Sequence, residues 1–193
     1  MRAGMDIRIL ESKEKIAEAF FKLLEKFSFE EITISEITGL AQVSRNTYYR
    51  HFRNKLSILE FLSDELIEDY FFEVQQLREK DLEHVLALYF SFWLRHKSFV
   101  RVLEKQRLQG LLLDRLRQKL PDFMKSSSLP WHEKNGGKRE LIHQLMIGGA
   151  WNIFTYHLEN KKAIHPELLS QELIREMKDT LEKDAQRLFG ADL

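Results

Sequence analysis

The first 120 residues contain no proline, and their apolar side chains recur at intervals of three and four rather than in alternation. A chain written this way folds as helices. Ile16, Phe20, Leu23, Leu24 and Phe27 predict an amphipathic helix over 12–27, and Ile58, Leu59, Leu62, Leu66 and Tyr70 give a long helix over 55–77 its buried side. Further helices are expected at 82–96, 98–105, 107–120, 138–160 and 167–189. With two short ones near residue 40 they make an all-α architecture of about nine helices. Pro121, Ser126 to Ser128, Pro130 and Gly136-Gly137 predict one long loop over 121–137.

The charge pattern narrows the function. Thirty Lys and Arg balance thirty Asp and Glu, which excludes a uniformly basic nucleic-acid coat. Between Ile37 and Leu59, however, Arg45, Arg50, Arg53 and Lys55 stand with no acidic residue. Thr33 with Glu36 three residues on matches a capping box, so a helix starts there and buries Ile34, Ile37 and Leu40 or Ala41. A turn falls at Gln42-Val43. Ser44 can cap a second short helix over 45–52, with Tyr48 and Phe52 on one side and Arg45, Asn46, Tyr49 and Arg50 on the other. Two short helices across a tight turn make the helix-turn-helix plan, whose second helix enters the major groove.

Thr33, Ile37, Ala41, Val43, Ser44, Thr47, Tyr49, His51, Phe52 and Lys55, at these spacings, resemble the DNA-binding signature of the tetracycline-repressor (TetR) family of bacterial regulators. The pattern departs from the family at Gln42, where glycine is common, and at Thr38, where alanine is. The resemblance implies a three-helix head over 1–54 and an effector-binding and dimerisation domain over 55–193, acting in the cytoplasm as a homodimer on double-stranded DNA without a cofactor.

Arginine is bidentate to guanine and asparagine to adenine, so Arg45 and Asn46 are candidates for reading base edges. The resemblance assigns phosphate or sugar contacts to Thr47, Tyr49, Arg50, His51 and Lys55, and adds Thr33 to the DNA-facing set; the Tyr49 ring could also touch a thymine methyl. For His51 the alternative is a helix-end histidine with a backbone partner. Arg53 reads as solvated charge.

The other function classes find little in the sequence. There is no cysteine, the seven histidines include no close ligand pair, and no phosphate loop or nucleophile motif is present, so neither a metal site nor an enzyme is expected. The first ten residues lack the apolar run of a leader. Residues 141–158 carry no Asp, Glu, Lys or Arg, yet His143, Gln144, Asn152 and His157 interrupt them, short of the ~20 apolar residues of a spanning helix.

Aromatic residues gather from Tyr89 to Tyr156. Phe90, Trp93, Trp131, His143, Met146, Trp151 and Asn152 are the effector-site candidates, with ordinary core packing as the alternative for each. The cavity itself is implied by the resemblance. Helix 138–160 is apolar nearly all round and carries Gly148 and Gly149, which suits close approach by another backbone; the resemblance implies dimerisation through this helix and the next. Taken together these features lead to a homodimeric transcriptional regulator, a repressor released from a near-palindromic operator by an unknown small molecule. The alternative is a helical interaction module acting as a coactivator or architectural DNA-binding protein.

Overall fold

The computed structural model describes the backbone of residues 2–127 and 140–189, and side chains over 9–127 and 144–180. Among the described residues there are nine helices and no strand: α1 (Arg2–Leu24), α2 (Ile34–Ala41), α3 (Arg45–His51), α4 (Lys55–Gln76), α5 (Leu82–Arg95), α6 (Lys97–Lys105), α7 (Gln109–Ser126), α8 (Glu140–Glu159) and α9 (Pro166–Phe189). None of them is long and apolar enough to cross a membrane. The helices form two compact units, one of Met1–Asp69 with Ser98–Lys119 and one of Tyr70–Lys97 with Leu120–Leu193.

In the first unit α1 packs on α2 and α3. Ile16, Phe20, Leu24, Ile37, Tyr48, Ile58, Leu59 and Ile67 are fully buried there. α1 begins ten residues before the expected 12–27 helix, because residues 2–11 hold nothing that breaks a helix. Its last turn tightens, with Lys26 and Phe27 both donating to the Leu23 carbonyl, so Phe27 falls outside the helix and is 48% exposed. On α4 the buried side is Ile58, Leu59, Ser63, Ile67, Tyr70, Phe71 and Val74, while Leu62 and Leu66 are only half-buried. α7 is tied to α4 by ions: Arg115 donates through Nε and Nη2 to the two carboxylate oxygens of Asp64, and Lys119 bridges Asp64 and Glu68. Bidentate geometry and partial burial make the Arg115 pair stronger than an exposed one.

In the second unit α5 packs chiefly on α9 and also on α8. Asp81 caps α5 by accepting from the His84 N–H at 2.9 Å. The core is aromatic. Tyr89, Phe90, Phe92 and Trp93 are buried, Trp93 meets Trp151 edge to face at 5.9 Å, and Tyr70 lies 5.9 Å from Tyr89.

Pro121 is the main departure from expectation. It does not end the helix; α7 continues to Ser126, so 121–126 is helical, and 128–137 of the expected loop lies outside the described residues. Proline removes one helical hydrogen bond and crowds the preceding turn. Burial offsets the loss, since Phe123 and Met124 are 8% and 5% exposed and the Phe123 ring stacks on Phe71 at 4.1 Å. Pro121→Ala restores the bond and keeps the Phe123–Phe71 stack. It should stabilise the protein by about 1–3 kcal/mol, read as a higher urea midpoint with an unchanged slope.

Candidate nucleic-acid interface

Three caps fix the geometry of the helix-turn-helix. The Glu36 N–H donates to Thr33 Oγ1 at 3.3 Å, and the Thr33 N–H and hydroxyl both donate to Glu36 Oε2, at 2.8 and 2.7 Å. These bonds hold the Glu36 carboxyl below its usual range, the Thr33 hydroxyl being the largest cause. The Thr33 hydroxyl is thus spent on the cap rather than turned to a ligand. Ser44 Oγ accepts from the Thr47 N–H at 3.0 Å and lies 2.9 Å from Thr47 Oγ1, so α3 starts at Arg45. Asn54 Oδ1 accepts from the Ser57 N–H at 2.9 Å and starts α4.

Between α2 and α3, Gln42 adopts the left-handed conformation with φ 55° and ψ 42°, and the Val43 N–H closes the turn on the Thr38 carbonyl at 3.0 Å. This is the strain that the departure from glycine at this position anticipates. Gln42→Gly relieves about 1–2 kcal/mol of backbone strain and gives back about 0.5–1 to the freer unfolded chain. A net gain of about 0.5–1 kcal/mol in chemical denaturation is expected.

Buried anchors then set which way α3 faces. Tyr48 is 0% and Phe52 3% exposed, and Phe52 meets Phe61 at 5.8 Å. Ile37 and Ala41 of α2 are buried opposite solvent-facing Leu40, which settles the choice between Leu40 and Ala41. With those anchors inside, Arg45, Asn46, Tyr49 and Arg50 are exposed and Thr47 and His51 half-buried. Arg45 reaches back to donate to Ser35 Oγ of α2, an oriented contact that the sequence alone did not suggest. The Tyr49 ring stands edge to face on Tyr48 at 5.3 Å, which holds its exposed hydroxyl end outward.

Lys55 behaves differently from the expectation for it. Its ammonium donates to the carbonyls of Phe29, Glu30 and Ile32 and lies 4.9 Å from the Phe29 ring centre. All three N–H donors have carbonyl partners. Lys55 therefore holds the α1–α2 connection and is set apart from the phosphate-facing set.

His51 sits near Lys13 and Arg50, and its pKa is lowered from 6.5, burial being the largest cause and the two cations adding to it. The folded state thus favours the neutral imidazole. Its contribution to stability is full above the unfolded value near 6.5 and is lost as pH falls below it. His84, held by Asp81, is shifted upward and acts in the opposite sense. Comparison with His51→Gln isolates the effect: thermal midpoints of wild type and variant should diverge above pH 6.5 and converge toward pH 5.

The effector candidates do not form one cluster. Phe90, Trp93 and Trp151 are buried together in the second unit, Met146 is half-buried, and Asn152 is exposed on α8 beside Ile153 and Tyr156. Trp131 and the His143 side chain lie outside the described residues. Among the described residues the buried Tyr89 hydroxyl and Trp93 Nε1 have no hydrogen-bond partner. Phe99, grouped with these aromatics by sequence, belongs to the first unit, where its ring meets Phe21 at 5.5 Å. Among the described residues one group has metal-ligand spacing, the exposed Glu79, Asp81 and His84 with ligand atoms within 4.8 Å; its Asp81 is already the α5 cap.

A three-helix head with a capped helix-turn-helix and an outward basic face, followed by a helical remainder, is the TetR-family fold. Solved structures agree over most of the chain. A TetR transcriptional regulator from Streptococcus agalactiae superposes with a TM-score of 0.61 at 19% identity, covering 89% of this chain and 96% of that one. Lin0861 from Listeria innocua superposes with a TM-score of 0.70 at 19% identity, covering 91% and 93%. No family model matches the sequence. Among curated proteins, the chain is 26% identical over 178 residues to the uncharacterized HTH-type transcriptional regulator YxbF of Bacillus subtilis, covering 89% of this chain and 46% of that protein. It is also 27% identical over 106 residues to the A-factor receptor protein of Streptomyces griseus, covering 55% and 38%. The chain thus spans less than half the length of the curated relatives it matches.

Proposed function

We propose that the chain is a homodimeric DNA-binding transcriptional regulator, a repressor that leaves a near-palindromic operator when a small-molecule effector occupies the domain following residue 54, and that it works in the cytoplasm. The observation that carries this reading is the outer face of α3, where Arg45, Asn46, Tyr49 and Arg50 are exposed while Tyr48 and Phe52 lock the helix from behind. Arg45 and Asn46 are given base edges; Thr47, Tyr49, Arg50 and His51 are given phosphate and sugar. Similarity to an HTH-type transcriptional regulator supports the reading of a DNA-binding regulator.

The dimer reading draws support from α8 and α9. Leu145, Tyr156, Leu168 and Met177 are 63%, 50%, 63% and 41% exposed, a large apolar outlay for a surface meeting only water. Asn152, Ile153, Tyr156 and His157 of α8, with Leu169, Glu172, Leu173 and Glu176 of α9, line an open groove of about 520 Å³. Among the described residues none would stand within 4 Å of a methyl group at Gly148 or Gly149, which leaves room for a second helix pair to approach. Two such pairs would form a four-helix bundle about a two-fold axis. For the effector, the unpaired Tyr89 hydroxyl and Trp93 N–H favour a largely apolar molecule carrying a hydrogen-bond acceptor.

Selection of random duplexes by the purified chain tests the reading. The selected site should be near-palindromic, with half-sites roughly one helical turn or a multiple of it apart. Arg45→Ala or Asn46→Ala should lose about 1–3 kcal/mol at that site and relax base preference, whereas Arg50→Ala should weaken all duplexes alike and lower the salt slope by about 1. An Arg45→Ala protein with unaltered affinity and preference would overturn the placement of α3 in the groove.

A further inference from the structure

The α1–α2 connection is held from two directions by side chains remote in sequence. Lys55 occupies the Phe29, Glu30 and Ile32 carbonyls. From the turn after α6, Gln106 Nε2 donates to the Leu24 carbonyl at 3.0 Å and to the Phe27 carbonyl at 2.9 Å, while its Oε1 accepts from the Phe29 N–H at 3.0 Å. One amide therefore serves the end of α1 and the connection that leads into α2. These backbone groups have lost their helical partners, and without Gln106 they would be left to solvent or unpaired.

The turn that presents Gln106 is itself well defined. The Gln106 N–H donates to the Val102 carbonyl, Arg107 is left-handed with φ 58°, and the Leu108 N–H returns to the Leu103 carbonyl at 2.8 Å. Val100 and Leu103 of α6 are fully buried, and Phe99 meets Phe21 of α1. Any shift or rotation of α6 must therefore move the amide relative to three backbone atoms that it bonds at about 3 Å, and such bonds weaken steeply with misalignment.

We infer that Gln106 is a positioning residue for DNA binding: its three hydrogen bonds set the path of the α1–α2 connection, so that the state of the α6–α7 turn is felt at α2 and α3 without any contact between Gln106 and DNA. This rests on the proposal that α3 reads DNA. The amide acts as a latch with a distinct bonded geometry. When it is engaged, the first turn of α2 starts from a fixed point; when it is released, the connection keeps Lys55 and its own Ser28–Glu31 bonds but loses its tie to α6, and the recognition helix samples a wider range of orientations. Affinity then falls because the free head must be ordered on binding.

Gln106→Met keeps the length of the side chain and its neutrality and removes all three bonds. Val85→Ala, in the second unit and away from the interface, serves as a control for general loss of stability. Binding is read by fluorescence anisotropy on a duplex selected by the wild-type chain, well below the thermal midpoints of all three proteins, together with amide hydrogen exchange. Gln106→Met should bind roughly tenfold more weakly, within the usual range for coupling between sites. Its salt slope should be unchanged, because no phosphate contact is lost. Exchange should rise at Phe29 and in the first turn of α2. Val85→Ala should bind within twofold of wild type. A Gln106→Met protein that binds like wild type, or no more weakly than Val85→Ala, overturns the inference while the DNA reading stands. A wild-type chain that selects no duplex removes both.

Discussion

A lysine ammonium surrounded by main-chain carbonyl oxygens is the contact on which the geometry of the head depends. Within the connection between α1 and α2 the Glu31 and Ile32 N–H groups return to the Ser28 carbonyl, while the carbonyls of Phe29, Glu30 and Ile32 take their donors from a remote side chain. Lys55 supplies three donors from the first residue of α4, with the Phe29 ring beneath it. Charge-assisted bonds of this kind are stronger than neutral ones, and their geometry fixes the α1–α2 connection against the start of α4. The position of α2 follows from that, and α3 follows from α2 through a turn closed by the left-handed Gln42.

The outward basic face is a by-product of inward packing. Tyr48 and Phe52 are four residues apart, one helical turn, so burying both fixes the rotation of α3 about its axis; Arg45, Asn46, Tyr49 and Arg50 then have nowhere to point but out. The buried Tyr48 hydroxyl has no hydrogen-bond partner among the described residues, and burial raises its pKa to about 12. That unpaired group is a cost set against ring contacts with Tyr49 and Phe52. The anchor's value lies in its shape.

What could be read from the sequence follows the range of the interactions. The caps at Thr33 and Ser44 depend on residues three apart, and the sides of α3 depend on residues four apart, so pattern alone reaches them. Gln106 bonds partners 77 to 82 residues away, and Lys55 bonds carbonyls 23 to 26 residues away. No local pattern distinguishes such a lysine from one that faces phosphate. Pro121 misled for a related reason, because the local rule that ends a helix at proline was outweighed by burial of Phe123 against Phe71, a contact across more than fifty residues. The aromatic effector candidates divided because helical spacing records which side is apolar, not which neighbour covers it.

The balance of thirty cations against thirty anions has a consequence for how such a head would meet DNA. A neutral molecule has no net monopole attraction toward a polyanion, so at long range the force on it is that of a dipole whose sign depends on orientation. With a screening length of about 8 Å at physiological ionic strength, even that torque acts only within the last few water layers. Approach with the α3 face leading is favoured over approach with that face turned away. Productive encounter is selected by angle before any base is touched, and non-specific adhesion to nucleic acid elsewhere on the surface is held low by the same neutrality.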